Sequence, residues 1–213
     1  MVTEPGRQRR PTWRPSAVGT ALARRPILSV GAWWLWAITE VSVVLYVFHR
    51  HSFTPWGAVG AQVTAYAVLI APVLLLRPPL QAPVSRSRWW VSMGLGGAAL
   101  VAAIVVVASA HTPGFTARQV VKLAATGAGE EILWRAAIWT ALTRATSRLA
   151  AVVALDVVLF VSWHVPSVLA GDNTWSGLPG VAALGVAFCL ARIASRRIEL
   201  PALLHIAADL LGT

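Results

Sequence analysis

Apolar residues run along this chain in seven blocks, at about 31–48, 56–76, 89–110, 118–143, 149–169, 178–195 and 200–213. A helix needs about 20 consecutive apolar residues to cross the hydrocarbon core of a bilayer. Six blocks come close to that length, and the last is short enough to be tilted or to cross only part-way. Pro78, Pro79 and Pro83 punctuate one connection, Pro113-Gly114 a second and Gly171-Asp172-Asn173 a third. The pattern predicts an all-α, polytopic transmembrane helix bundle of about seven helices with its polar site inside the bundle. The expected division is a basic, disordered cytoplasmic tail over 1–26 and a transmembrane helical domain over 27–213.

Composition strengthens that reading. The chain is 57% hydrophobic and 12% charged, where a soluble globular chain carries about 25% charged residues. Its net charge of +10 raises nucleic acid as a partner, but the basic residues fall between the apolar blocks rather than along one face. No nucleic-acid partner is expected; the partner is the lipid bilayer. Cys189 is the single cysteine, so no intrachain disulfide forms and a cysteine-based zinc site is excluded.

Charge also orients the bundle. The tail carries Arg7, Arg9, Arg10, Arg14, Arg24 and Arg25, and the apolar run after it is long enough to span and lacks a small-residue cleavage site. With the tail inside, 14 of the 18 basic residues lie in inner segments, and only Arg50 and Arg118 in outer ones. Cytoplasmic loops are the ones enriched in Lys and Arg, so the N-terminus is expected in the cytoplasm. An Ala-, Val-, Arg- and Trp-rich composition of this kind is that of a high-GC bacterium, so the expected location is the bacterial cytoplasmic membrane. Trp33, Trp34, Trp56, Trp89, Trp90 and Trp175 stand near the ends of the blocks, where an interfacial belt is expected.

Against this apolar background a few polar groups stand out. The fourth block contains Gly127-Ala128-Gly129-Glu130-Glu131-Ile132-Leu133-Trp134-Arg135. Each ionised group at mid-membrane depth costs a few kcal/mol or more, about 2.5–3.5 on the gentlest scale. Glu131 and Arg135 are four apart, one helical turn, in the favourable acid-first order. Glu130 is rotated by about 100° from Glu131. The spacing therefore predicts a structural Glu131–Arg135 pair and leaves Glu130 for chemistry. Phe160-Val161-Ser162-Trp163-His164 closes the fifth block, and His205-Ile206-Ala207-Ala208-Asp209 places His205 and Asp209 on one face of the last. Glu40 and Asp156 are isolated acids. Asp156 is four and eight residues before Phe160 and His164, a spacing that would let it orient the histidine.

Each of these has a bland explanation alone: an interfacial histidine, an acid paired with a neighbouring helix. Together, two adjacent carboxylates, two imidazoles and an aspartate on apolar helices mark a site. One carboxylate with two imidazoles can hold a metal or activate water without one. There is no HExxH motif and no nucleophile elbow. The chemistry suggested is hydrolysis by carboxylate-activated water.

The order Glu-Glu-x-x-x-Arg, Phe-x-x-x-His and His-x-x-x-Asn or Asp resembles the CPBP intramembrane proteases, which include CAAX prenyl protease 2 (the Rce1-type endopeptidase) and bacterial Abi-type proteins. The resemblance covers about residues 118–213. It implies an α-helical intramembrane endopeptidase acting on a peptide or membrane-protein substrate. Glu130 would activate water, His164, His205 and Asp209 would surround that water and stabilise the oxyanion, and Glu131 and Arg135 would hold the helices. The resemblance requires no cofactor and allows a zinc ion, which Glu130, His164 and His205 would hold. Asp209 stands where the family more often has Asn, exchanging an amide donor for an acceptor unless the carboxyl is protonated. CAAX processing itself is not implied. The rival readings are a non-catalytic bacteriocin-immunity or scaffold protein, and an ion or proton transporter, which would show internal pseudo-symmetry.

Overall fold

The computed structural model describes residues 17–76, 86–109 and 116–212. A short helix α1 (Ala17–Ala23) precedes α2 (Pro26–Arg50), α3 (Pro55–Leu76) and α4 (Arg86–Ser109). Next comes a composite rod: α5 (Ala117–Glu131), a π-helical stretch (Ile132–Ile138) and α6 (Trp139–Ala145). The chain continues with α7 (Leu149–Trp163), α8 (Val165–Ala170), a 3-10 turn (Trp175–Gly177), α9 (Leu178–Ser195) and α10 (Glu199–Leu211). No strand occurs among the described residues. Five helical stretches are long and apolar enough to cross a membrane: Pro26–Arg50, Pro55–Leu76, Trp89–Ser109, Leu149–Ala170 and Trp175–Ser195. The composite rod, interrupted by the Glu-Glu-Arg cluster, and the shorter α10 complete the seven expected blocks. This is an all-α integral membrane protein.

Side chains sort as a bilayer demands. Leu35, Val43, Leu75, Val101, Val158 and Leu190 point outward from the spans and are exposed, which in hydrocarbon carries no cost. What holds the helices together is packing and the satisfaction of polar groups. Three indoles staple α2 to its neighbours. Trp34 Nε1–H donates to Ser162 Oγ at 2.9 Å, Trp36 to the Leu69 carbonyl at 3.0 Å, and Trp163 to the Ala37 carbonyl at 3.0 Å.

One core cluster gathers Trp33, Leu69, Leu133, Trp134, Ile138 and Phe160 among others from α2, α3, the central rod and α7. A second joins Ala103 of α4 to Ile206, Ala207 and Leu210 of α10. α10 packs on both α4 and α5, and α3 packs on α5. The last turn of α5 is thus clasped between α3 and α10, and the polar residues sit in that seam.

Three expectations change, and a fourth holds. Residues 17–23, assigned to a disordered tail, are helical and pack against α2 and α3. Trp33, assigned to the interfacial belt, is buried, whereas Trp56, Trp90 and Trp175 are exposed. The fourth span is not one regular α-helix but contains the π-helical stretch. The turn at Gly171-Asp172-Asn173 is formed, with Gly171 at a φ of 85° ending α8, as only a residue without Cβ does at no steric cost. The prolines at 78, 79 and 83, the pair 113–114, and Arg7, Arg9, Arg10 and Arg14 lie outside the described residues.

Candidate active site

Two glycines set the site up. A Cβ on Gly129 would stand 2.7 Å from the Tyr66 ring, and one on Gly127 would stand 2.7 Å from Ile206 Cγ1 and 3.0 Å from its backbone nitrogen. Both are closer than real Cβ atoms come, so α3 and α10 approach α5 only because those positions are glycine. The approach delivers Tyr66 from one side and His205 from the other to the two glutamates that follow.

Tyr66 O–H donates to Glu130 Oε1 at 3.0 Å. Glu130 Oε2 is buried without a hydrogen-bond partner; His205 Nε2 is 3.6 Å away, beyond hydrogen-bonding range. Glu131 faces the other way. His205 Nδ1–H donates to Glu131 Oε1 at 3.0 Å, and Glu131 Oε2 lies 3.4 Å from Arg135 Nε. The ion pair expected from the spacing is there, but Glu131 has a second role: because a carboxylate only accepts, it holds the His205 proton on Nδ1. Nε2 is then presented between Glu130 Oε2 and Asp209 Oδ1, the latter at 3.7 Å.

Arg135 is fully buried within the π-helical stretch, a feature frequent at functional sites. Its Nη1 is 3.4 Å from Asp156 Oδ2 and its Nη2–H donates to the Gly185 carbonyl at 3.3 Å. The guanidinium lies 4.9 Å from the centre of the Phe160 ring and 5.7 Å from that of Phe188. It therefore ties the central rod to α7 and α9. Asp156, expected beside His164, belongs to this knot instead, and Cys189 Sγ–H donates to it at 3.1 Å. Spacing along one helix put Asp156 in line with His164; Arg135, from another helix, claims it.

His164 caps the end of α7, and its Nδ1 lies 2.9 Å from the Phe160 carbonyl. A carbonyl accepts, so Nδ1 carries the proton and Nε2 is left for the space beyond. Phe160 is the spacer between the imidazoles, 4.8 Å from the His164 ring and 6.2 Å from that of His205. Phe188 stacks on His205 at 4.6 Å.

A cavity of about 530 Å³ reaches this cluster. Glu130, Tyr66 and His164 line it, and Glu40, Gln62 and Lys122 contribute to its wall. Glu130 is only 4% exposed. Tyr66 was missed in the sequence, although Gln62 and Tyr66 sit four apart in an otherwise apolar span, the same signal that drew attention to His205 and Asp209. Among the described residues no three histidine, cysteine or carboxylate side chains form a group that could hold a metal ion, the set Glu130, His164 and His205 included.

The class these observations define is an intramembrane helical bundle with a carboxylate–imidazole cluster facing a cavity. Residues 112–211 match the Rce1-like family, type II CAAX prenyl endopeptidase Rce1-like, a family of proteases. Comparison with the curated proteins and with the solved structures gives no match.

Proposed function

We propose that this protein is an intramembrane endopeptidase that hydrolyses a peptide bond, in a peptide or membrane-protein substrate, with water activated by Glu130. The observation that carries the reading is the asymmetry of that carboxylate. Oε1 is held by Tyr66 and Oε2 has no hydrogen-bond donor, in a residue that lines the cavity. Oε2 takes a proton from water as the oxygen attacks the scissile carbonyl carbon, and the same proton passes to the leaving amine when the C–N bond breaks.

His164, with Nδ1 engaged by the Phe160 carbonyl, has Nε2 to offer the developing oxyanion when the ring carries both protons. His205 Nε2 and Asp209 flank the water on its other side. Glu131 keeps His205 in one orientation, and Arg135 keeps Glu131. The family match supports a protease; the residue roles rest on the geometry. No covalent intermediate is required.

The test is cleavage of a fluorogenic peptide library by purified protein in detergent, with Glu130→Gln and His164→Ala beside wild type, with and without a chelator. Loss of a general acid–base group lowers the rate by about 10²–10⁴-fold. Wild-type activity that survives the chelator and falls by that factor in Glu130→Gln is the expected result. A Glu130→Gln protein that cleaves as fast as wild type removes Glu130 from the chemistry. Activity that the chelator abolishes and zinc restores replaces the mechanism with a metal-dependent one.

A further inference from the structure

The direction in which the cavity opens follows from helix polarity. α2 runs from Pro26 to Arg50, and the cavity touches it from Glu40 near its middle to His49 in its last turn. α5 begins at Ala117, and Lys122, five residues in, is on the wall while Glu130 is at the floor. α3 lines the cavity with Gln62, Ala65 and Tyr66, and Ser167 of α8 and Asp172 of the turn after it add to the wall near the mouth. The His49 and Asp172 side chains stand 3.7 Å apart, 48% and 49% exposed. The exposed mouth therefore lies at the end of the bundle where α2 stops and α5 starts. The floor at Glu130 is about 12 Å deeper than Lys122, eight residues of α5 at about 1.5 Å each.

The arginines gather at the opposite end. Arg24 and Arg25 precede α2, Arg144 ends α6, and Arg148 precedes α7. Arg192, Arg196 and Arg197 close α9 and its turn. The mouth end carries Arg50, Arg118 and Lys122, with Asp172 set against them. An excess of Lys and Arg in short connections marks the cytoplasmic side, and acids count little toward it. The mouth is on the other side.

We infer that the catalytic cavity opens at the non-cytoplasmic face of the membrane and takes an extended polypeptide segment exposed in that compartment. The inference rests on the peptidase reading above only for the nature of the substrate; the direction of opening rests on helix polarity and charge. At about 530 Å³ the cavity is the size of a small-ligand site. It admits a few residues of chain and no folded domain. The substrate class is thus an exported peptide or the outer juxtamembrane stretch of a membrane protein.

Single cysteines decide the face. Cys189 is buried, so the full-length wild-type chain serves as the blank. Phe53→Cys in the turn between α2 and α3 and Ser167→Cys on the cavity wall are compared with Ser147→Cys, which is exposed between α6 and α7. Intact spheroplasts of the expression host are treated with a membrane-impermeant maleimide. Labelling of Phe53→Cys and Ser167→Cys at least tenfold over Ser147→Cys, equalised by permeabilisation, is the expected result. The reverse pattern, or equal labelling in intact spheroplasts, overturns the inference. In parallel, an impermeant quenched peptide cleaved by wild-type protein is added to intact and permeabilised spheroplasts, with Glu130→Gln as control. Cleavage without permeabilisation supports the inference, and cleavage only after permeabilisation overturns it while leaving the peptidase reading intact. No cleavage of any peptide in either preparation counts against the peptidase reading, and the labelling still decides the face.

Discussion

Replacing Gly129 by alanine is the sharpest probe of how the site is assembled. A Cβ there meets Tyr66 Cδ1 at 2.7 Å, Cβ at 3.0 Å and Cγ at 3.1 Å. These atoms are the base of the ring and the Cβ that joins it to the backbone, so no tip of a flexible chain can swing aside. Reaching the 3.4 Å at which ordinary contact begins requires α3 to retreat by about 0.7 Å, the difference between 3.4 and 2.7 Å. Added to the 3.0 Å between the Tyr66 hydroxyl and Glu130 Oε1, that shift carries the pair past hydrogen-bonding distance. Overpacking of this kind costs about 1–3 kcal/mol, offset by the roughly 1 kcal/mol that alanine gains over glycine in a helix. The net expectation is up to about 2 kcal/mol of lost stability and a fall in kcat that Tyr66→Phe reproduces. The assay is a double-mutant cycle, with thermal unfolding in detergent and peptide cleavage read on each protein. In the Tyr66→Phe background Gly129→Ala lowers kcat little further, since the hydrogen bond it breaks is already gone. In Tyr66→Ala, which removes the ring and leaves only the Cβ contact at 3.0 Å, it destabilises less. A Gly129→Ala protein with wild-type stability and kcat would show that the close approach of α3 is not what holds Glu130.

Arg135→Met leaves Glu131 and Asp156 buried without their cation, and breaking a buried pair in this way costs about 3–5 kcal/mol; a loss under about 1 kcal/mol in a denaturation series refutes the knot. Arg135→Lys recovers only part of that, because a point charge cannot reach Glu131, Asp156 and the Gly185 carbonyl together. Glu131→Gln keeps one acceptor oxygen but loses the charge and the second oxygen, so it cannot serve both His205 Nδ1–H and Arg135, and kcat falls by about 10–100-fold with KM little changed, the usual penalty for losing an orienting partner; a rise in KM alone contradicts the role. Outside the spans, Arg197 donates from Nε to both Glu199 oxygens, at 3.0 and 2.9 Å, and from Nη2 to Oε1. Burial pushes the Glu199 carboxyl up, but the guanidinium outweighs it and holds the group below the usual carboxylate range. A depressed folded value means that this stability is present above the unfolded value of about 4.3 and fades as pH falls through the folded one. Arg197→Gln is therefore less stable than wild type at pH 7, by less than about 1 kcal/mol for so exposed a pair, and the gap closes in acid.

The chain's local signals were legible wherever one helix supplied both partners. Glu131 and Arg135 meet at i and i+4, and Gly171 ends a helix as a turn glycine should. The reading failed where a second helix decides. Asp156 lies in line with His164 but is taken by Arg135, and Tyr66 reaches Glu130 from 64 residues away. Trp33 stands where a belt residue stands, yet the neighbours that bury it come from distant parts of the chain. The π-helical stretch left no mark on spacing, because hydrophobic periodicity does not resolve one wider turn inside an apolar run. Gly127 and Gly129 were visible as letters, but what they admit depends on which helices stand opposite.

The two hydrogen bonds that build the site, from Tyr66 to Glu130 and from His205 to Glu131, span 64 and 74 residues of chain. Helices that insert in order from the N-terminus bring α3 and α5 together long before α10 arrives. Glu130 meets its tyrosine early, while Glu131 waits for its imidazole with only Arg135 beside it. On the peptidase reading proposed above, a chain that lacks α10 is expected to cleave no peptide. The carboxylate–imidazole cluster is complete only once α10 packs over Gly127 and brings His205 to Glu131.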